Sequence, residues 1–87
     1  MIIAFKIQYS TEALIQLRKL ESKIAKRIVK KVELAQENPH TVFRGLSGRN
    51  EYKLRVGDYR VIADIDETNH IVFIMSLGHR KNIYDKR

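Results

Sequence analysis

The sequence contains no cysteine, and its three histidines are far apart. Without cysteine the chain has no disulfide framework, no thiolate zinc site and no cysteine nucleophile. His40, His70 and His79 form no pair at the spacing of helical metal ligands. The ten acidic residues show no pattern typical of a two-metal nuclease. We therefore expect neither a metal centre nor a cofactor.

Long hydrophobic runs are also missing. The apolar start of the chain is interrupted by Lys6, too early for a signal peptide or a membrane span. Residues 45–48 contain glycine but lack the lysine and the spacing of a phosphate-binding loop. We expect a cytoplasmic protein that does not associate with membranes.

Positive charge is what the sequence has in excess. The 87 residues include 17 Lys and Arg against 10 Asp and Glu, which gives a net charge of +7. Both halves share the excess, so it does not form a disordered basic tail, and 44% apolar residues allow one modest core. A polyanion-binding surface is the first idea to test, although surplus lysine also serves solubility alone. We expect a single domain over residues 1–87.

The hydrophobic pattern of the first half predicts a strand and a helical hairpin. Residues 2–9 alternate between apolar and polar side chains, as a half-buried strand does. Ser10 is placed to cap a first helix, and Ser22 to cap a second helix that ends before Pro39. Residues 38–50 contain that proline and two glycines, and they are predicted to form a loop.

Three strands are predicted after this loop. Residues 52–56 and 59–66 alternate on either side of Gly57 and Asp58, which are typical of a two-residue hairpin turn. Residues 71–77 are almost wholly apolar, as in a strand that is covered on both faces inside a sheet, and the tail that follows is polar and basic. The order predicts an α+β domain: an N-terminal strand, a helical hairpin and a three-stranded antiparallel meander. Together they would form a mostly antiparallel sheet with helices on one face.

The predicted hairpin concentrates positive charge on one side of the sheet. With a two-residue turn, Arg55 faces Arg60, and Lys53 lies on the same side. Like charges directly opposite one another destabilise a sheet, so a bound anion accounts for the cluster better than folding stability does. The alternative is a solvated face that Glu51 or Asp64 relieves.

The second predicted helix carries basic side chains opposite its apolar stripe. Spacings of three and four residues place most of them side by side on the helix surface. Such a surface suits contacts with a phosphate backbone, although ordinary solvation explains it nearly as well. With one lysine from the basic tail, the candidate RNA-binding residues are Lys23, Lys26, Arg27, Lys30, Lys31 and Lys81.

If the bound anion is RNA, a site without a metal has to use the neighbouring 2′-hydroxyl as its nucleophile. Clustered cations would stabilise the charge that develops on the phosphorane. Tyr84 is placed either to stack on a base, which would orient the phosphate, or to pack on the domain as a tail residue.

Three segments resemble the RelE toxins of the RelE/ParE superfamily. They are residues 44–46, 51–61 and 74–84, and the most specific feature is Tyr-Arg-Val after the hairpin combined with Gly-His-Arg-Lys-x-Ile-Tyr near the end. The resemblance implies the RelE-like fold, in agreement with the predicted element order. It also implies a toxin that cuts messenger RNA in the ribosomal A site without a metal ion, leaving a 2′,3′-cyclic phosphate and a 5′-hydroxyl.

The resemblance further implies a set of catalytic residues. By position, Lys53 and Arg55 are the basic catalytic residues, and Arg60 stabilises the phosphate. Arg80 is a leaving-group acid or transition-state stabiliser, and Tyr84 stacks on a base. Some relatives carry lysine where this chain has Arg55, and arginine gives up a proton far less readily. Lys53 is therefore the better candidate for the general base.

Partners are implied as well: the ribosome, messenger RNA and a RelB-like antitoxin that wraps round the toxin, with DNA contacted only through the antitoxin. A basic toxin suits an acidic, amphipathic, partly disordered antitoxin. The ParE branch inhibits DNA gyrase and usually lacks the basic and tyrosine set, so Arg60, Arg80 and Tyr84 together favour an RNase. A ParE-like gyrase inhibitor, or a non-catalytic nucleic-acid-binding module, is the alternative.

Overall fold

The computed structural model of the chain describes residues 4–45 and 51–81. Its strands are β1 (Lys6–Tyr9), β2 (Arg44–Gly45), β3 (Tyr52–Val56), β4 (Tyr59–Asp66) and β5 (Ile71–His79). Its helices are α1 (Thr11–Arg18), α2 (Ser22–Glu33) and α3 (Pro39–Val42), with a 3₁₀ turn at Leu34–Gln36. The predicted α+β fold, with a helical hairpin after the first strand, is confirmed.

The five strands form one sheet in the order β1-β5-β4-β3-β2. Neighbouring strands are antiparallel except β1 and β5, which run parallel. β5 lies inside the sheet, as its apolar sequence predicts. The prediction that both of its faces are covered is wrong, because Phe73 is 38% exposed. Val72 and Ile74 on either side of it are fully buried, so only one face of β5 belongs to the core.

The core lies between one face of the sheet and the helices. Ile28 and Val32 of α2, Val61 of β4 and Leu77 of β5 are each at most 1% exposed. Alternate residues of every long strand point to this side, which leaves the opposite face of the sheet for other side chains. Among the described residues, no helix has both the length and the apolar composition needed to span a bilayer.

The β3–β4 hairpin has the register predicted from its two-residue turn. Val56 pairs with Tyr59, and Arg55 pairs with Arg60. Gly57 has a φ of 59°, in the left-handed region that glycine adopts without a steric penalty from a Cβ. This turn fixes which side chains of the hairpin share a face.

The start of α1 is joined to β5 at an irregularity in the sheet. The Ser10 hydroxyl accepts a hydrogen bond from the Ala13 N–H at 2.9 Å, which confirms the predicted helix cap. The same hydroxyl donates to the Met75 carbonyl oxygen at 2.7 Å. Met75 is the extra residue of a bulge, since Ser76 and Ile74 pair with consecutive residues of β4.

Two predicted details at the ends of elements are wrong. Ser22 is not a cap: Glu21 takes the N-cap position of α2 without a side-chain hydrogen bond, and Ser22 is the first helical residue. Gly78 and His79 do not begin the tail. They extend β5, because the hairpin is long enough to pair with both of them.

The predicted loop at residues 38–50 is wrong in part, because it holds α3 and β2. The Asn38 side chain caps α3 by accepting a hydrogen bond from the His40 N–H at 3.2 Å. Pro39 suits the first turn of this helix, where no backbone N–H is required. Residues 46–50 of the predicted loop, like residues 2 and 3 of the predicted first strand, lie outside the described ranges.

Candidate functional site

The sheet face opposite the helices carries the cations predicted for the hairpin. Arg55 pairs with Arg60, and Lys53 pairs with Ile62, so these side chains project from one face. Leu54, between the two β3 cations, is buried in the core on the other face. The structure therefore brings Lys53, Arg55 and Arg60 together.

Two rows of paired residues cross the strands on this face. One row lies near the hairpin turn and spans β3 to β5, and the other lies farther from the turn and spans β2 to β5. The rows consist of Arg55, Arg60 and Gly78, and of Arg44, Lys53, Ile62 and Ser76. We call their four cations, Arg44, Lys53, Arg55 and Arg60, the basic face.

Arg44 is the member of the basic face that the sequence prediction misses. It lies in β2, which has two residues, and so few residues give no alternation that a pattern search can detect. Its antiparallel pairing with Lys53 places it on the basic face. The only signal in the sequence is that residues 44–46 are part of the resemblance described above.

Arg60 differs from the other cations in its burial. It is 7% exposed, and it is the one charged side chain of the described residues that is buried. Arginine keeps its charge in such a setting, and an anion close to it is attracted more strongly than in bulk water. Its neighbour on β5 is Gly78, where an added Cβ would meet no atom within 4 Å. A phosphate group would find room there, beside the guanidinium.

Arg80 lies at the end of β5, next to the hairpin turn. Its backbone N–H donates to the Asp58 carbonyl oxygen at 2.8 Å, and its side chain is exposed. Lys81 follows and is exposed as well. Tyr84 lies outside the described residues. The structure thus places the backbone of Arg80 near the hairpin, as predicted.

His79, whose role the sequence leaves open, faces away from these cations. It pairs with Tyr59, and the two rings meet edge to face with centroids 5.5 Å apart. Tyr59 packs against the core. His79 therefore lies on the helix side of the sheet.

Carboxylates leave much of the basic face unpaired. Within the described part of the chain, no Asp or Glu forms an ion pair with Lys53 or Arg55. Asp64 pairs with Phe73, two residues along β4 from the row that contains Lys53. Among the described residues, an anion that binds these two cations would therefore break no salt bridge.

The predicted basic patch on α2 is exposed throughout. Part of it extends to the basic face, since Arg27, Lys30 and Lys31 line a cavity together with Arg55. Lys23 and Lys26 do not line this cavity. Over residues 4–45 and 51–81, no three His, Cys, Asp or Glu side chains form a group that could hold a metal ion.

Comparison with known sequences gives one family and several relatives. Residues 7–84 match the family model described as the ParE toxin of type II toxin–antitoxin systems, parDE. The chain is 28% identical over 82 residues to the mRNA interferase toxin RelE of Escherichia coli strain K12, covering 91% of this chain and 86% of that protein. It is equally similar to the mRNA interferase RelE of Shigella flexneri.

Solved structures share the fold. A mutant E. coli RelE toxin in the free state has a TM-score of 0.78 and 25% identity, covering 94% of this chain and 92% of that one. In the intact E. coli RelBE toxin–antitoxin complex, the matching chain has a TM-score of 0.75 and 26% identity. The match covers 87% of this chain and 96% of that one. A Mycobacterium tuberculosis RelBE complex has a TM-score of 0.82 at 24% identity, covering 92% and 95%, and this likeness shows the fold alone.

Proposed function

This chain belongs to the family of ParE toxins of type II toxin–antitoxin systems. Because its curated relatives are mRNA interferases, we propose that it cuts messenger RNA. The resemblance to RelE toxins that the sequence predicts is confirmed. Its curated relatives of that name are mRNA interferases, and each match extends over most of both chains. The chain is accordingly an endoribonuclease toxin that acts on the ribosome.

One observation carries this function: the cross-strand pair of Arg55 and Arg60 beside Lys53 on a sheet face without helices. Two arginines directly opposite each other repel, and the sheet keeps them although they weaken it. A phosphate between them turns that repulsion into attraction. The basic face therefore serves a phosphate diester better than it serves stability.

The chemistry proceeds through the ribose next to the cleaved phosphate. Lys53, which is half-buried on β3, takes the proton of the 2′-hydroxyl, and the 2′-oxygen attacks phosphorus. The new P–O2′ bond forms as the P–O5′ bond breaks, and the Arg80 guanidinium stabilises the charge on the departing 5′-oxygen, which takes its proton from water. Arg60 and Arg55 stabilise the charge on the phosphorane. The products are a 2′,3′-cyclic phosphate and a 5′-hydroxyl.

The remaining candidate residues bind rather than react. Tyr84 stacks on a base and holds the RNA for in-line attack. The exposed cations of α2, with Lys81, bind RNA phosphates and give affinity without sequence preference. The reaction takes place in the cytoplasm, in the A site of the ribosome, and requires no metal ion or cofactor.

A RelB-like antitoxin is the expected protein partner. Several structurally similar proteins were solved as toxin–antitoxin complexes, including RelBE of E. coli and RelB–RelE of Methanococcus jannaschii. A net charge of +7 suits an acidic, amphipathic antitoxin that wraps the toxin and covers its cations. Any contact with DNA runs through that antitoxin.

Cleavage of messenger RNA on programmed ribosomes tests this function. The purified chain is added to ribosomes stalled with a defined codon in the A site, and the new RNA ends are mapped and tested for a cyclic phosphate. We expect cuts within that codon, which persist when EDTA is added after ribosomes are stabilised. Binding to ribosomes without new ends would mean that the chain is a non-catalytic binding module.

Inhibition of DNA gyrase is the second candidate function, since the matching family model is that of ParE toxins. A supercoiling assay with purified gyrase separates the two. An endoribonuclease leaves supercoiling unchanged at concentrations that cut the ribosomal messenger RNA. Loss of supercoiling with intact messenger RNA would reverse the assignment.

A further inference from the structure

A groove opens between α2 and the end of β3, next to the basic face but outside it. Its volume is 410 Å³, within the range of small-ligand pockets. It is lined by Arg27, Lys30, Lys31 and Leu34 on one side, and by Arg55 and Val56 on the other. We call it the α2–β3 groove.

Two arginines converge on the hairpin turn at this groove. The Arg55 Nε donates to the Gly57 carbonyl oxygen at 3.4 Å. From the other side, the Arg27 Nη2 comes within 3.7 Å of the position that a Cβ on Gly57 would take. Lys30 and Lys31 add two more positive charges. Four cations around one groove attract an anion strongly.

Carboxylates do not neutralise these cations. In the described ranges, none of the four forms an ion pair with an Asp or Glu. Asp58 lines an adjoining cavity with Arg27, yet no ion pair joins the two side chains. An anionic group that enters the groove therefore breaks no ion pair among the described residues.

The groove also offers apolar surface. Leu34 is 60% exposed, although it lies in a turn whose neighbour Ala35 is fully buried. Val56 forms the opposite wall. A mixture of cations and aliphatic side chains fits a nucleotide, whose phosphate needs charge and whose sugar and base present less polar surface.

Arg55 connects this groove with the basic face. Its pairing with Arg60 places it on the basic face, while its side chain also lines the groove. An RNA strand whose cleaved phosphate lies at Arg60 would pass Arg55 and reach the groove. This continuity favours the substrate RNA over a protein segment as the occupant.

We propose that the α2–β3 groove is a second RNA subsite, which binds the phosphate next to the cleaved linkage through Arg27, Lys30 and Arg55. Leu34 and Val56 contact the sugar of that nucleotide. The inference rests on the proposed function and gives Arg55 a binding role. It accounts for an arginine at a position where some relatives have lysine, since an arginine holds a phosphate with two parallel hydrogen bonds.

The experiment pairs a neutral linkage in the RNA with a neutral substitution in the groove. A series of messenger RNAs is made, each with one uncharged methylphosphonate at a different linkage around the A-site codon. Single-turnover cleavage of each RNA is measured on programmed ribosomes. With the wild type, we expect that neutralising one linkage beside the cut lowers the cleavage rate about tenfold. With Arg27→Gln/Lys30→Gln, the rate is already about tenfold lower, and neutralising that linkage has no further effect.

A matched control is Arg18→Gln/Lys19→Gln, which removes the same two charges from the exposed end of α1. It should keep the wild-type rate and the full methylphosphonate effect. Circular dichroism and thermal unfolding show that both variants are folded.

Each other outcome overturns the proposal. Additive effects at every linkage would mean that the groove does not touch the substrate strand. A groove variant that only binds ribosomes less tightly would mean that the groove contacts ribosomal RNA. If the groove variant cleaved all the RNAs at the wild-type rate, the groove would instead be a site for a protein partner. A wild type that cuts no RNA would remove the proposed function itself, whereas in the other cases that function stands.

Discussion

Arg60 is the residue on which the proposed chemistry depends most. It is buried, whereas Lys53 on the same sheet face is half-buried and Arg44 and Arg55 are exposed. Burying a charge costs free energy. Replacing buried ionic groups with apolar side chains of similar size often leaves the free energy of unfolding unchanged or raises it. A buried arginine beside other cations is typical of a site for an anion.

Arg60→Met tests this role without removing the volume of the side chain. We expect the single-turnover cleavage rate to fall about a hundredfold, which is about 3 kcal/mol of transition-state stabilisation. Urea titration checks that the variant is folded. Arg80→Ala, at the exposed end of β5, should lower the rate to a similar extent while ribosome binding persists. Wild-type cleavage by both variants would place the active site elsewhere.

The roles of Lys53 and Arg55 are distinguished by two substitutions, lysine to arginine at position 53 and arginine to lysine at position 55. Lys53→Arg keeps the charge but removes a group that can release a proton, so we expect a rate loss of about a hundredfold. Arg55→Lys should cost less, because it keeps a cation at a binding position and loses only the paired hydrogen bonds of the guanidinium. The pH dependence of single-turnover cleavage is measured for both. Equal losses would mean that Lys53 contributes charge alone.

At the scale of elements, the junction of α1 with β5 holds the helix layer on the sheet. The Ser10 hydroxyl caps α1 and donates to the Met75 carbonyl oxygen, and the Gln16 side chain accepts from the Leu77 N–H at 2.7 Å. A bulge leaves backbone groups without strand partners, and these side chains supply partners instead.

Ser10→Ala should therefore destabilise more than the loss of an ordinary helix cap. We expect the free energy of unfolding to fall by about 2 kcal/mol, because the cap and the bond to the bulge are lost together. Thr11→Ala, one residue later and exposed, is the control and should change stability little. Equal effects of the two substitutions in urea titrations would contradict the role of the junction.

The stability that the turn between β4 and β5 contributes depends on pH, because Asp66 at the start of this turn has a lowered pKa. Hydrogen bonds from the Asn69 side chain, and then from its backbone, hold the pKa of the Asp66 carboxyl below its usual value. A carboxyl with a lowered folded-state pKa stabilises the protein above its unfolded pKa, and that stability is lost as the pH falls through the folded value.

Asp66→Asn should consequently lower the urea midpoint at neutral pH and have progressively less effect in acid, below about pH 4. The measurement is a set of urea titrations from neutral to acidic pH. Asp64→Asn on the same strand is the control for the loss of one negative charge. A constant difference between Asp66→Asn and wild type at every pH would exclude the linkage.

The hairpin could be predicted to the register, because Gly57 and Asp58 form a turn of fixed length and alternation leaves one face for the cations. Pairing over short segments could not be predicted. β2 has two residues and acquires its strand geometry only from β3, so Arg44 stayed outside the predicted site. The α2–β3 groove is a tertiary feature. Nothing in the spacing of Arg27 and Arg55 indicates that they meet at Gly57.

At the scale of the whole molecule, the excess of positive charge has two parts with different expected roles. The basic face and the groove hold cations near the reaction, whereas Lys23 and Lys26 lie on α2 outside the groove. The second set should bind ribosomal RNA through phosphate contacts, which release counterions and so depend on salt.

Lys23→Glu/Lys26→Glu should weaken ribosome binding and flatten its salt dependence by about one logarithmic unit of slope per lost contact. Cosedimentation with ribosomes over a series of KCl concentrations gives that slope. Normal binding combined with loss of cleavage would instead move these lysines into the catalytic group.

The parallel pairing of β1 with β5 has a consequence for how the protein is made. The ribosome synthesises β1 first, but the neighbour of β1 in the sheet is β5, and the core takes residues from Phe5 to Leu77. A growing chain therefore lacks its native core until nearly all the described residues have left the exit tunnel. A toxin of this topology should therefore acquire its active fold only when its own synthesis is nearly complete.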